Sequence, residues 1–198
     1  MKKVIINKVL KWAISLTGLT LVVMHFYARE NWPKIWSYIA TIILPWVPEI
    51  LAKMGLKFSR RLELAYLWFL MPAMVMGIDF EGYKNIWAFD KLVHGLSGGL
   101  TLVVGLEFWQ ILASKMNWKK VTKQEKVLKS WFAMGIVAII AVGWECFEFF
   151  YDQFCDGRMQ QLVSTGVADT MWDLVMAMIG GIIILTLNKL RTLIKQSE

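Results

Sequence analysis

Six stretches of the chain are apolar over about the thickness of a bilayer: residues 8–27, 35–52, 62–78, 91–113, 130–152 and 169–188, with short polar connections between them. Each approaches the ~20 residues an α-helix needs to cross ~30 Å of hydrocarbon. The pattern therefore predicts an all-α, polytopic bundle of six transmembrane helices, one integral membrane domain over residues 1–198. Pro45 and Pro48 interrupt the second stretch and Glu49 closes it, which predicts a kinked or partly re-entrant helix and makes it the weakest of the six. The first stretch follows a basic start, as a signal peptide would. Its apolar core of about 20 residues is long for a signal, and no small-x-small cleavage site follows, so it is expected to be a retained span. The longest connection, Ser114 to Lys129, is polar and basic and suits a solvated loop near anionic headgroups.

Charge gives the bundle a direction. With the amino terminus inside, seventeen of the twenty-two Lys and Arg residues fall on one side, in clusters around Lys2–Lys11, Lys53–Arg61, Lys115–Lys129 and Lys189–Lys195. Only Arg29, Lys34, Lys84, Lys91 and Arg158 fall on the other. The positive-inside rule then makes both termini cytoplasmic, and a five-span arrangement without the second stretch breaks the bias. A chain that is 57% hydrophobic and 19% charged is not a soluble domain; the multi-pass plasma membrane of a bacterium is the expected location. Although the net charge is +7, the basic residues form no continuous helix face, so the expected partner is the lipid bilayer and not nucleic acid. Cys146 and Cys155 would stand roughly 13 Å apart on a continuous helix, too far for a disulfide.

The candidate chemistry lies where acids enter the apolar stretches. Asp90 and His94 stand one turn apart at the start of the fourth, with Ser97 and Thr101 continuing their stripe; Glu145, Glu148 and Asp152 share a face of the fifth, and Asp169 and Asp173 a face of the sixth. Under the charge-derived topology all of them reach similar depths near the outer surface, together with Glu30, Asp79, Glu81, Asp156 and His25. Gly95 with Gly99, and Ala177 with Gly181, are small-residue pairs that let helices approach closely and bring the acids together.

An ionisable side chain within a bilayer helix costs roughly 2.5–3.5 kcal/mol on insertion scales and marks a site by default. Crowded carboxylates need protons, a metal or a base; Lys91 and Arg158 are the nearby bases. His94, Asp90, Glu145, Glu148 and Asp173 suit general acid/base catalysis, and His94, Glu145, Glu148, Asp169 and Asp173 suit a divalent metal such as Mn, Fe, Zn or Mg. Capping accounts equally for Asp90 and Asp169, wetting at a helix end for Asp152, and interhelical hydrogen bonding for the deeper groups. His25, beside Phe26 and Tyr27, reads as interfacial, as do Trp32, Trp36, Trp87, Trp118 and Trp172. Three classes stay open: an enzyme acting by hydrolysis or group transfer on an envelope or lipid-linked substrate, a proton- or cation-coupled carrier or channel, and a structural or partner-binding protein.

The run Asp90-Lys91-Leu92-Val93-His94, then Trp144-Glu145 with Glu148, then Asp169-Thr170-Met171-Trp172-Asp173 closing on Gly180-Gly181, resembles the YjdF-like group of bacterial inner-membrane proteins. It is more distantly similar to the VanZ-like family, associated with teicoplanin resistance. The resemblance covers about residues 79–185 and implies Asp90, His94, Glu145, Glu148, Asp169 and Asp173 as the matching positions. It departs at Ala177, where many VanZ-like proteins carry Asn one turn after the last acid.

Overall fold

The computed structural model describes residues 2–28, 33–79, 82–86, 88–116, 123–155 and 167–197. These form helices α1 (Lys2–Ala28), α2 (Pro33–Ile43), α3 (Val47–Lys53), α4 (Arg60–Leu70), α5 (Gly82–Asn85), α6 (Phe89–Lys115), α7 (Lys123–Cys155) and α8 (Val167–Ser197), and no strand occurs among the described residues. Arg29, Glu30, Trp32, Glu81, Trp87, Trp118, Asp156 and Arg158, all weighed above, lie outside them. One domain is expected over the chain; its contacts divide it into two compact units, residues 1–90 with 155–157, and residues 91–154 with 158–198.

In the first unit α1 is inside out. Its buried face carries Asn7, Lys11, Ser15 and His25, whereas Ile5, Val9, Trp12, Leu16, Leu19 and Val23 are exposed. Water would reverse that arrangement; hydrocarbon requires it. Gly18 lets α1 lie against α2, since a Cβ there would come within 2.8 Å of the Tyr38 carbonyl. His25, in the last turn of α1, is buried at 6% exposure with its ring 6.0 Å from that of Tyr38, so it packs inside the unit.

The proline-broken stretch runs as α2, a 3-10 turn over Leu44–Trp46, and α3. Pro48 cannot donate to the Leu44 carbonyl, which instead accepts from the Val47 N–H and, at 2.9 Å, from the Tyr66 hydroxyl. Ser15 donates to the Ile42 carbonyl at 2.9 Å and accepts from Trp46 Nε1 at 3.0 Å. With its broken backbone satisfied in this way, the stretch keeps the length and apolarity to cross a membrane, from Ile35 to Lys53.

The third stretch behaves otherwise. Ser59 caps α4, accepting from the Leu62 N–H at 3.2 Å, but α4 gives way after Leu70 to a nine-residue π-helix, Met71–Asp79. Pro72 is the local cause: without an N–H it forfeits the α-helical bond to the Trp68 carbonyl, and the chain proceeds with wider turns. Among the described residues five helices, Ile5–Ala28, Ile35–Lys53, Phe89–Lys115, Gln124–Phe154 and Val167–Arg191, are long and apolar enough to cross a membrane. The second stretch carries the expected break and is still one of these five; the third, α4 followed by the π-helix, is not.

The second unit is a three-helix bundle. Leu102 of α6 with Ala133 and Val137 of α7 forms its core, and Leu106, Met134, Met178, Ile184 and Leu185 pack around it. Gly105 meets Ala133, where a Cβ would come within 2.8 Å of backbone. A Cβ on Gly98 would collide with the backbone of Ala177, and one on Gly180 with the backbone of Gly95. Lys91 against Asp169 and Gly99 against Ile184 make α6 and α8 run the same way, and Gly105 against Ala133 with Leu102 against Val137 makes α7 run against them, so Lys91, Asp169 and Glu148 come to one end. Ile139, Ile140, Val142, Ile182, Ile183 and Leu187 are exposed on the outside, as lipid-facing residues are.

Candidate functional site in the second unit

The polar end of this bundle follows from helical periodicity. On α7 the positions buried against the other helices are Ala133, Val137, Ala141, Glu145 and Glu148, each three or four residues from the last. The same stripe that builds the core therefore ends in two carboxylates. On α8 the buried stripe is Asp173, Ala177 and Gly181; on α6 it passes through His94, Gly98 and Leu102. Small residues below draw the helices together, and the acids above have no room to turn away.

His94 stands between two carboxylates. Its Nδ1 is 3.8 Å from Glu145 Oε1 and its Nε2 is 3.6 Å from Asp173 Oδ1, with all three side chains under one-tenth exposed. Lys91, one turn earlier on α6, places its Nζ 2.5 Å from Asp169 Oδ1 and 2.8 and 2.9 Å from the two oxygens of Asp173. Glu148 accepts from Trp144 Nε1 at 2.7 Å within α7.

Of the positions expected from sequence, His94, Glu145, Asp169 and Asp173 are joined in this one network, and Glu148 lies a turn beyond Glu145 on the same buried stripe. Asp90, the second residue of α6, is half-buried one turn before His94; one ligand atom from each of Asp90, His94 and Asp173 lies within 4.8 Å of the others. That distance suits a metal ion, and the three residues supply the imidazole and carboxylate donors that Mn, Fe or Zn accept. Glu145, Glu148 and Asp169 stand outside that trio. Ser97 and Thr101 do not extend the polar stripe: their hydroxyls donate to carbonyls of their own helix, those of His94 and Gly98, at 2.8 and 3.2 Å. Asp152 is half-buried in the last two turns of α7.

Two participants were missed as site residues. Lys91 was read only as a possible neutraliser, yet it is three residues before His94 and so shares its face, which is the signal that would have placed it. Trp144 is four residues before Glu148, the spacing that lets an indole N–H reach a carboxylate one turn on. Lys91 also changes the charge balance. Asp169 and Asp173 share one ammonium, that of Lys91.

Comparison with known proteins gives one result. No curated protein and no solved structure matches the chain. Residues 9–192 match the family described as "Predicted membrane protein (DUF2238)", with which the YjdF-like resemblance is consistent. That match takes in α6, α7 and α8 as far as residue 192, with every residue of the network. The chain belongs to the DUF2238 family of membrane proteins.

Proposed function

We propose that this protein is a multi-pass component of the bacterial plasma membrane. It crosses six times with both termini cytoplasmic, and its polar site opens toward the outer face. There it carries out acid/base chemistry, hydrolysis or group transfer, on an envelope or lipid-linked molecule. The observation that carries this reading is the imidazole of His94 set between Glu145 and Asp173, at 3.8 and 3.6 Å, in a site under one-tenth exposed. A histidine with a carboxylate at each nitrogen can take a proton on one side and deliver one on the other, and general acid/base catalysis by such a group contributes roughly 10²–10⁴-fold. Lys91 lies against both Asp169 and Asp173 and anchors them, which favours Asp173 as the group that orients His94; Glu145 exchanges the proton, and Trp144 fixes Glu148.

The same geometry weighs against a carrier. One turn below His94 and Asp173, α6 and α8 meet backbone to backbone at Gly98 and Ala177, so a path between these helices is closed beneath the site. A dead-end site suits chemistry on a bound molecule better than passage. The test uses the native protein in nanodiscs with a bacterial envelope lipid extract, followed by mass spectrometry. Time-dependent loss of one lipid-linked species is expected, slowed about 100-fold or more by His94→Ala. If no species is consumed while vesicles show proton or cation flux that His94→Ala abolishes, the carrier reading replaces it.

A second reading rests on the Asp90, His94 and Asp173 trio, placed for a divalent cation. Manganese or zinc at about 100 times its Kd should then raise stability in detergent by about 2.7 kcal/mol, and His94→Ala should remove the gain. An equal gain in His94→Ala assigns the metal to other sites. The topology has its own check. Reporter fusions after Asn85 and Gly157 should report the outer side, and fusions after Lys57 and Lys120 the cytoplasm. A cytoplasmic signal at Asn85 reverses the orientation.

A further inference from the structure

The first unit contains a buried cation that the proposed chemistry does not use. Lys11 is two turns inside α1 and its side chain is 3% exposed, held between Glu49 of α3 at 2.8 Å and Glu63 of α4 at 2.6 Å. Its two acids are not equivalent. Glu63 is 21% exposed and stands in the capped first turn of α4, whereas Glu49 is 50% exposed on α3, a seven-residue helix that buries none of its residues. The 3-10 turn at Leu44–Trp46, which contains Pro45, precedes α3, whose second residue is Pro48, and the chain leaves the helix through Gly55, whose φ of 86° lies in the left-handed region.

We infer that α3 is a hinged flap, latched to the bundle by the Lys11–Glu49 ion pair and able to swing about the Leu44–Trp46 turn. Two features make release inexpensive. The carbonyls at the turn have partners outside the segment, Tyr66 at Leu44 and Ser15 at Ile42, so the Leu44 carbonyl stays satisfied when its bond from the Val47 N–H breaks. Lys11, moreover, keeps Glu63 when Glu49 leaves. Removing the only partner of a buried charge strands it and is strongly destabilising. Here a second carboxylate is in place, and what departs is the half-exposed one, whose carboxylate passes into water. The device is thus asymmetric: neutralising Glu49 opens the latch, whereas neutralising Glu63 leaves it shut. Opening uncovers the polar end of α1, with Lys11 and Glu63, on the side where the basic clusters gather.

Cysteine labelling in membrane vesicles tests this, with Cys146 and Cys155 replaced by Ser. Leu51→Cys places a thiol at a half-buried position of α3, and Met54→Cys one at a position 72% exposed. Maleimide labelling of Leu51→Cys should accelerate about tenfold on adding Glu49→Gln and stay within about twofold on adding Glu63→Gln. Labelling of Met54→Cys should be the same in all three backgrounds. An unchanged Leu51→Cys rate with Glu49→Gln overturns the latch, as does equal acceleration by Glu63→Gln. Failure of the Glu49→Gln protein to accumulate also overturns it, because the pair is then a structural tie. Where Leu51→Cys itself does not accumulate, Val47→Cys, also half-buried, is read in its place by the same criteria.

Discussion

Gly98→Leu is expected to take the three-helix unit apart. The added Cβ would run into the backbone of Ala177, and the branched end of the side chain has nowhere to turn, because Gly95 and Gly180 close the seam on the adjoining turn. Overpacking a well-filled core costs about 1–3 kcal/mol when side chains can yield. Here the opposing atoms belong to a helix backbone, so α6 and α8 must separate and the cost lies at or beyond the top of that range. The separation also pulls Lys91 from Asp169 and Asp173, which begin two turns above the seam. Gly135 and Gly143 on α7 are the controls: a Cβ at either meets nothing within 4 Å. Replacing them removes a helix-weakening glycine at about 0.5–1 kcal/mol relative to Ala and should leave the thermal midpoint in detergent level or higher. A Gly98→Leu protein with the native midpoint, alongside a Gly135→Leu protein with a lower one, would place the close contact elsewhere.

The seam also shows how far the sequence was legible. Small residues at i and i+4 were read as two separate pairs, Gly95 with Gly99 and Ala177 with Gly181. The contacts made are Gly95 with Gly180 and Gly98 with Ala177, while Gly99 meets Ile184 and Gly181 turns to Met134 and Val137 of α7. Spacing along one helix tells which residues share a stripe, but the crossing selects which of them meet, and that depends on the facing helix. Ala177 is small for a visible reason. At 1% exposure it lies where α8 meets the Gly98 backbone, a position for a small side chain.

Polar residues followed the same division. The acid faces of α7 and α8 were readable because a helix repeats every 3.6 residues. The burial of Lys11 and His25 was not, since each looks like an interfacial residue until Glu49, Glu63 and Tyr38 arrive from other helices. The prolines were visible as breaks, but their consequences depended on partners. Tyr66 and Ser15 repair the backbone around Pro45 and Pro48, and the chain around Pro72 changes helix type instead.

The network makes its largest energetic prediction at Lys91. Lys91→Met keeps the length and apolar stem of the side chain and deletes the ammonium that lies 2.5 Å from Asp169 and 2.8 Å from Asp173. Asp173, 3% exposed, then has lost its cation in a medium that charges its desolvation heavily, and breaking a buried pair from one side costs about 3–5 kcal/mol. Asp173→Asn should cost less, because Lys91 retains Asp169 and the amide still fills the space. The double variant Lys91→Met with Asp173→Asn removes the stranded charge together with its partner, and should recover about half or more of the loss caused by Lys91→Met alone. That non-additivity is the signature of direct contact, with coupling in the 0.5–3 kcal/mol range found for neighbouring residues. His94→Ala separates the two roles of the site: it removes the proton carrier but leaves Lys91 on both aspartates, so it should fold and insert while abolishing turnover. Thermal or denaturant unfolding of the four proteins in one detergent supplies the cycle. Additive losses, or a Lys91→Met protein as stable as the native one, would show that the ammonium does not hold Asp173, and the assignment of Asp173 as the partner that orients His94 would fall with it.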